Sequence, residues 1–453
     1  MSELPEMHEF RTELTEDGIL HLIFDAPGRS MNVFSNRAIR EAEAFADWLK
    51  GAEVTGVVIR SGKPGAFCAG ADLSELSTAY DMIMATPEAE RDARTVEEFA
   101  PIGRAFRKLE TAGKPVAIAI NGLALGGGCE AALAAHYRVL TDDPSTAMGL
   151  PESVVGLLPG GGGTQRLPRL TGIAASLPIL LEGGRFSGEQ AVRAGAAHEV
   201  VAPGQEIAAA EAWILSSPDP RQPWDRPDWS VPDAATVAAE LAPIRERVLA
   251  ETGGHYPAPL AILDCLERGL PVDMDRAVAE EIDVFKDLVQ RIEPRNMIGT
   301  MFLGRVDYDR KRRKDALPAG LDAFVAEVKA ALQGAIRARG ATGADAAAFA
   351  GLAAPASARF DVDEATGIAA RKPAWFDAPS DARETTALAL LAAAACAADG
   401  YSGTFTEVDR NLADYAAVRD SGFPAYLGGP FAMLERYGAA RLREMAGWGR
   451  RSR

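Results

Sequence analysis

The chain carries the stretch NGLALGGGCE at residues 121–130, and GLPE follows at residues 149–152. The apolar run of residues 115–120 predicts a buried strand, and the Ala/Leu-rich run of residues 129–136 predicts a helix. The glycines therefore lie at a turn from strand to helix. A helix start exposes backbone N–H groups and the positive end of the helix dipole, and glycine lets a ligand oxygen come close to them.

Two backbone N–H groups are candidate donors to such an oxygen. The first is Gly127 N–H, at the predicted helix start. The second is Ala71 N–H, in the small-residue segment FCAGADL at residues 67–73, which follows the apolar run of residues 57–60. Two donors on one carbonyl oxygen would stabilise the charge that develops on it, by about 100-fold to 1000-fold per donor.

Two carboxylates are also predicted to lie at helix starts. Glu130 lies in the first turn of its predicted helix, and Pro151 at a first helical position places Glu152 at the start of another. A positioned carboxyl contributes about 100-fold to 10,000-fold to proton transfer, and two close carboxyls hold different protonation states. Glutamate also favours helix starts for structural reasons alone, and glycine runs also make ordinary turns.

Four motifs in order resemble the crotonase (enoyl-CoA hydratase/isomerase) superfamily. They are AGAD at residues 69–72, NGLALGGGCE, GLPE, and PGGGGTQRL at residues 159–167. The resemblance implies an α/β fold, a crotonase-like spiral of ββα repeats followed by a mostly helical C-terminal domain. It also implies that Glu130 and Glu152 are the catalytic glutamates, that Ala71 and Gly127 form the oxyanion hole, and that Gly160 lies near the bound water.

The resemblance extends to coenzyme A contacts. Ala69, Ala71 and Leu73 resemble the segment that lies along the adenine of coenzyme A. Lys63 and Arg29 are the candidate partners of its phosphates, and a solvated loop arginine is the alternative interpretation of Arg29.

The composition limits the other classes of function. The 453 residues predict about three domains, and 64 acidic against 48 basic residues give a net charge of −16, which disfavours a nucleic-acid groove. No zinc or disulfide pattern is expected from the cysteines, and a nucleophilic role for those beside the site, Cys68 and Cys129, is disfavoured. Because the N-terminus lacks a signal-peptide pattern and residues 387–398 are too short to span a bilayer, we expect a cytoplasmic protein without membrane contact.

We predict three domains. Residues 1–215 form the crotonase-like catalytic core, residues 216–312 a linker and the helical completion of the hydratase part, and residues 313–453 a helical domain resembling the tail of 3-hydroxyacyl-CoA dehydrogenases. The Pro/Asp/Trp-rich residues 216–229 are expected to be a linker or surface arm. The motifs PWD at residues 223–225 and HYPAPLAIL, which begins at His255, resemble the hydratase part of bifunctional fatty-acid oxidation enzymes.

Apolar spacing predicts further helices at residues 258–268, 274–289, 297–310 and 321–339. No strand followed by Gly-x-Gly-x-x-Gly occurs after residue 290, so we expect no NAD-binding domain. An Ala/Gly-rich stretch comes next. From residue 385 the chain resembles the dehydrogenase tail, most clearly at DSGFPAYLGGPF, residues 420–431, which is also typical of an ordinary Pro/Gly turn between helices.

These features predict an enoyl-CoA hydratase that adds water to trans-2-enoyl-CoA, with Glu130 activating water and Glu152 delivering the proton to C2. Coenzyme A is then part of the substrate, and no metal or other cofactor is expected. Alternatives on the same scaffold are a Δ3-Δ2-enoyl-CoA isomerase, an aromatic enoyl-CoA hydratase-lyase and an acyl-CoA thioesterase. A noncatalytic acyl-CoA-binding or assembly subunit is an alternative from another class. The residues leave open the acyl chain length and the formation of a homo-oligomer.

Overall fold

The structure is a computed structural model, and it describes residues 3–252, 254–338 and 382–447. The chain forms two compact units. The first comprises Met1–Leu241 and Ala261–Asp287, and the second comprises Ala242–Leu260 and Leu288–Arg453. The boundaries of these two units differ from those of the three predicted domains, and the domain boundaries stay a prediction.

The first unit is built on two sheets. The six-stranded sheet has the order β1-β2-β3-β5-β7-β10 and the four-stranded sheet the order β4-β6-β8-β9. Neighbouring strands are parallel except in the pairs β1–β2 and β8–β9. The strands are β1 (Phe10–Leu14), β2 (Ile19–Phe24), β3 (Gly56–Ser61), β4 (Ala66–Cys68), β5 (Val116–Ile120), β6 (Leu123–Leu125), β7 (Tyr137–Thr141), β8 (Ala147–Gly149), β9 (Arg185–Ser187) and β10 (Glu199–Val201).

Helices cover these sheets. In chain order they are α1 (Asn36–Leu49), α2 (Leu73–Ala85), α3 (Glu88–Glu110), α4 (Gly127–Ala134), α5 (Gly163–Thr171), α6 (Ile173–Glu182), α7 (Gly188–Ala194) and α8 (Glu206–Leu215). Helix α8 buries Ala210 and Ile214 against Val58 and Ala117 of the larger sheet. The alternation of strands and helices predicted for this part of the chain is confirmed, and the fold is α/β.

The first two strands form an N-terminal hairpin. Strands β1 and β2 pair antiparallel from Phe10 opposite Phe24 to Leu14 opposite Leu20. Gly18 in the turn has a φ of 76°, a left-handed conformation that glycine adopts without strain.

The turn from strand to helix that carries the central motif is also confirmed. Strand β5 ends at Ile120, the short strand β6 follows, and α4 begins at Gly127. Gly122 is required here because its φ is 84° and a Cβ would lie 2.1 Å from Gly65 O. All eight residues of α4 are buried, so its N-terminus is held rigidly inside the unit.

The second predicted helix start differs from expectation in detail. Residues Glu152–Val155 form one turn of 3-10 helix, and Pro151 caps it instead of occupying its first position. Gly156 ends the turn with a φ of 82°. Glu152 is nevertheless the first residue of this turn, as the sequence indicated.

Residues 216–229 lie against the first unit instead of forming a free linker. Gln222 and Trp224 are buried. The Gln222 side chain donates to three carbonyl oxygens at the C-terminus of α4, at 2.9–3.2 Å. Asp225 pairs with Arg107 of α3 at 2.6 Å. Polar contacts therefore hold this Pro/Asp/Trp-rich segment, which contains one turn of 3-10 helix at Pro223–Asp225.

Three further helices follow in the chain. They are α9 (Ala234–Thr252), α10 (Pro257–Gly269) and α11 (Met274–Val289). The predicted helix at residues 274–289 is confirmed at both ends.

The second unit is helical. Its remaining helices are α12 (Ile292–Met297), a π-helical segment (Ile298–Gly304), α13 (Arg305–Arg313), α14 (Leu321–Ala338), α15 (Ala382–Ala395), α16 (Ala397–Gly400), α17 (Glu407–Ser421) and α18 (Pro430–Met445). Their core buries aromatic side chains such as Phe324, Phe405 and Phe431. The mostly helical C-terminal region is thus confirmed. The Ala/Gly-rich residues 339–381 lie outside the described residues.

The motif of residues 420–431 forms the turn between α17 and α18. The buried Asp414 carboxylate accepts the N–H groups of Phe431 (2.7 Å) and Ala432 (2.9 Å) at the start of α18. This is a capping contact, and it gives the motif a structural role. Within the described parts of the chain, no helix combines the length and the apolar character that crossing a membrane requires.

Candidate active site

The two predicted donors lie at one place. A Cβ placed on Gly70 would be 3.8 Å from Gly127 N, so the segment that holds Ala71 lies against the start of α4. Ala71 pairs with Phe34 through Gly70 O and Asp72 N, which leaves the Ala71 N–H out of the bridge. Among the described residues, neither the Ala71 N–H nor the Gly127 N–H has a protein acceptor.

Glu152 lies beside this turn. A Cβ on Gly126 would come within 2.7 Å of Glu152 Oε1. Glu152 Oε2 is buried and accepts no hydrogen bond from the described residues. Burial, and then the negative charge of Glu130, raise the pKa of Glu152 well above its ordinary value. An uncharged carboxyl with one oxygen uncommitted is able to donate a proton.

Glu130 is held by the loop of residues 159–164, here named the glycine loop. Its Oε1 accepts the N–H groups of Gly161 (2.7 Å) and Gly163 (2.8 Å), and its side chain is buried. Burial raises the pKa of Glu130, while the two N–H groups and the Arg166 charge act in the opposite direction. The N–H groups and the Arg166 charge therefore favour the ionised form of Glu130. Among the described residues, Glu152 Oε2 has no such contact.

A third carboxyl contacts the same loop. Glu281 of α11 accepts the N–H groups of Gly162 (2.7 Å) and Thr164 (3.1 Å) and also contacts the Thr164 hydroxyl. It is 1% exposed. Burial, followed by the charge of Glu130, raises its pKa to about 8. Glu281 was not among the site residues predicted from the sequence.

A buried ion pair contacts the glycine loop. Arg166 and Glu110 form two hydrogen bonds, at 2.7 and 2.9 Å, and both side chains are fully buried. The same guanidinium donates to Gly161 O at 2.8 Å. Arg166 therefore orients the Gly161–Gly162 peptide, whose Gly162 N–H binds Glu281 and which follows the Gly161 N–H that binds Glu130.

Apolar side chains surround the turn. A Cβ on Gly127 would lie 3.2 Å from the Phe34 ring and 3.4 Å from the Ile102 side chain. A Cβ on Gly160 would lie 3.2 Å from the Phe285 ring. With glycine at both positions, the backbone lies close to these apolar side chains, which form a surface suited to an acyl group. The sequence did not predict this surface, because Phe34, Ile102 and Phe285 come from distant segments.

The candidate phosphate partners are both paired with carboxylates. Lys63 Nζ lies 2.8 Å from Asp25 and 2.7 Å from Ala26 O, with its side chain 14% exposed. Arg29 lies 2.8 Å from Asp72 and is 42% exposed. Arg29 is thus the more accessible cation.

The other residues predicted to contact coenzyme A flank the donor segment. Ala69 is exposed, and its N–H donates to Asn32 O at 2.9 Å. Leu73 is half-buried and begins α2, which Asp72 caps by accepting two backbone N–H groups. These positions leave an accessible edge next to Ala71.

The cysteines beside the site are buried thiols. Burial raises the pKa of Cys68 to about 12 and that of Cys129 well above its ordinary value. A thiol that stays protonated is a poor nucleophile. Among the described residues, no group of three or more His, Cys, Asp or Glu side chains forms a metal-binding cluster.

Thiol labelling checks this assignment. In the native protein we expect a thiol reagent to modify Cys396, which is partly exposed, well before Cys68, Cys129 and Cys265, which are buried. Mass spectrometry of peptides from briefly labelled protein measures this order, and labelling in denaturant is the control. Early modification of Cys129 would contradict the buried, protonated state.

The first unit is an α/β fold in which two candidate backbone donors and a carboxyl pair meet at a glycine turn. Residues 15–216 match the model of the enoyl-CoA hydratase/isomerase family.

Curated relatives are similar to the chain over a longer stretch. The fatty acid oxidation complex subunit alpha of Shewanella amazonensis is 36% identical over 290 residues, which cover 62% of this chain and 39% of the relative. That of Shewanella loihica is 38% identical over 292 residues, with the same coverage. The aligned part thus spans about two fifths of the length of these relatives.

Solved structures give a weaker likeness. An enoyl-CoA hydratase from Bacillus anthracis has a TM-score of 0.40 at 23% identity, covering 62% of this chain and 92% of that one. An enoyl-CoA hydratase from Bacillus halodurans has a TM-score of 0.46 at 17% identity, covering 64% and 98%.

Proposed function

We propose that the protein is an enoyl-CoA hydratase, which adds water across the 2,3 double bond of a trans-2-enoyl-CoA to give a 3-hydroxyacyl-CoA. One observation carries the proposal. The two carboxyls at the glycine turn differ in hydrogen bonding: Glu130 accepts two N–H groups, and Glu152 has a buried oxygen without a partner among the described residues. Environments that separate two carboxyl pKa values suit one base and one acid.

The roles follow from this difference. The thioester oxygen accepts the Ala71 and Gly127 N–H groups, so the negative charge that develops on it is stabilised as water attacks C3. Glu130, the better supported anion, orients the water and takes its proton. Glu152, kept protonated by burial and by the Glu130 charge, delivers a proton to C2. In the reverse direction the two roles exchange.

Coenzyme A enters this proposal as part of the substrate, and the reaction requires no other cofactor. Ala69, Ala71 and Leu73 would lie along its adenine, and the exposed Arg29 is favoured over Lys63 as a phosphate partner because Lys63 is mostly buried. Gly160, which lies next to the Glu130-bound peptide and against Phe285, would border the water. Phe34, Phe285 and Ile102 would bound the acyl chain.

Product analysis with crotonyl-CoA tests the function. We expect loss of the enoyl absorbance and a product that has gained one water, without free coenzyme A or aldehyde. Release of coenzyme A would indicate a thioesterase, cleavage of an aromatic substrate to an aldehyde a hydratase-lyase, and migration of a 3,4 double bond alone an isomerase. Calorimetric binding of several enoyl-CoA esters without turnover would indicate a noncatalytic acyl-CoA binder.

A further inference from the structure

We propose that Glu281 is a positioning residue for Glu130, because it holds the glycine loop by the two N–H groups that alternate with those bound to Glu130. Glu281 accepts the N–H groups of Gly162 and Thr164, on a loop whose other face binds Glu130. This inference rests on the proposed function, in which Glu130 acts on water.

The loop is tightly confined by these carboxyls. A Cβ on Gly161 would lie 2.7 Å from Glu130 Oε2, and one on Gly163 would lie 2.9 Å from Glu130 Oε1. Any shift of the loop therefore moves the Glu130 carboxylate with it. Glu281 restrains the loop at the peptides between these contacts, so its hydrogen bonds define where Glu130 presents its free oxygen.

Helix packing alone does not account for a carboxyl at this position. Helix α11 buries Ala277, Val284, Phe285 and Leu288 in addition to Glu281. An unpaired buried carboxyl is costly compared with an apolar side chain, and Glu281 has no ion-pair partner among the described residues. Its position one helical turn before Phe285 places it beside the proposed water position near Gly160.

Several charged or titratable groups face Glu281 from the elements around it. They are Glu130 of α4, Glu152 of the 3-10 turn, Arg166 and Arg169 of α5, and Cys265 of α10. Burial and the Glu130 charge raise the pKa of Glu281 to about 8. We therefore expect Glu281 to be mainly protonated below about pH 8, and its ionisation at higher pH would add a negative charge beside a transition state that already carries one.

The decisive variant is Glu281→Gln, which stays uncharged and keeps one acceptor for the loop. At pH 6.5 we expect its kcat for crotonyl-CoA hydration within about tenfold of wild type and an unchanged KM. The wild-type kcat should decline as the pH rises through about 8, and this decline should be absent or displaced upward in the variant. A decline at the same pH in Glu281→Gln would overturn the proposal.

Two further variants separate positioning from packing. Glu281→Ala removes both acceptors, and we expect about a 100-fold lower kcat with little change in KM, because a small displacement of a reacting group costs this much. Asp414→Asn is the matched control, since Asp414 is another buried carboxyl that accepts two backbone N–H groups. We expect Asp414→Asn to change thermal stability and leave the pH profile of kcat as in wild type.

Thermal unfolding gives a readout without substrate. The pKa of Glu281 is raised from 4.5 in the unfolded chain to about 8, so the folded protein binds more protons between these values. This contribution favours the folded state at low pH and is lost as the pH rises through about 8. The melting temperature of Glu281→Gln, relative to wild type, should therefore rise between pH 5 and pH 9, and a constant difference would count against a protonated Glu281.

Infrared difference titration separates failure of this inference from failure of the proposed function. In resting wild-type protein we expect a protonated carboxyl band that titrates near pH 8 and is absent from Glu281→Gln. In Glu281→Ala, which lacks both acceptors for the loop, we expect the Glu130 carboxylate band to shift. If the wild-type protein hydrates no enoyl-CoA, the proposed function fails. A Glu130 band that is identical in wild type and Glu281→Ala would overturn the positioning role in either case.

Discussion

Replacing both Glu130 and Glu152 by glutamine is expected to lower kcat for crotonyl-CoA hydration by about 10,000-fold or more. Each single replacement should cost about 100-fold to 10,000-fold, because glutamine neither takes a proton from water nor delivers one to carbon. The losses should not multiply, since the two carboxyls act in one proton-transfer event. Steady-state kinetics of the three variants at one pH measure these effects, and substrate binding should change little.

Glu206→Gln is the matched control for this experiment. Glu206 is also a buried glutamate in the first turn of a helix, and it accepts the Gly204 N–H at 2.7 Å. It shares the structural reason for a glutamate at such a place but has no role at the proposed site. Hydration that persists in the Glu130→Gln, Glu152→Gln double variant would refute the assigned chemistry, even if the product analysis of wild type identified a hydratase.

Replacing Glu110 by alanine is expected to destabilise the first unit by about 3–5 kcal/mol, because the fully buried Arg166 charge loses its partner. Denaturant unfolding followed by tryptophan fluorescence measures this effect. The signal reports mainly on the first unit, where four of the six tryptophans lie: Trp48, Trp213, Trp224 and Trp229.

The exposed pair Arg104–Glu43 provides the comparison. Arg104 is 53% exposed, so Arg104→Ala should cost about 0–1 kcal/mol. Since Arg166 also binds Gly161 O, any folded Glu110→Ala protein should hydrate more slowly as well. Equal stability losses in Glu110→Ala and Arg104→Ala would show that burial of the Arg166–Glu110 pair has no energetic weight.

Local sequence patterns predicted the elements that carry the site. The apolar spacing of residues 274–289 is sufficient for α11. The glycines of residues 126–128 predicted the turn at which Gly127 begins α4. Periodicity and backbone conformation are properties of neighbouring residues, so they can be read from the chain. The roles assigned to Glu130 and Glu152 stay predictions.

Pro151 and Glu281 illustrate what local patterns leave out. The sequence predicts Pro151 as the first residue of a helix, whereas it caps a single 3-10 turn that ends at Gly156. Glu281 is a charged residue on the apolar face of the amphipathic helix α11. This pattern indicates a buried polar contact, but it does not identify the partner.

The order of residue types along the chain determined the α/β class and the glycine turn, and residues 15–216 are sufficient to match the model of the enoyl-CoA hydratase/isomerase family. Only the tertiary structure decided which side chains contact the glycine loop. Glu130, Glu281 and Arg166 are separated by up to 151 residues (281 − 130). The two carboxyls accept N–H groups of the loop, and Arg166 donates to one of its C=O groups. The physical reason is that burial and mutual repulsion raise carboxyl pKa values according to distances in space, which separation along the chain does not specify.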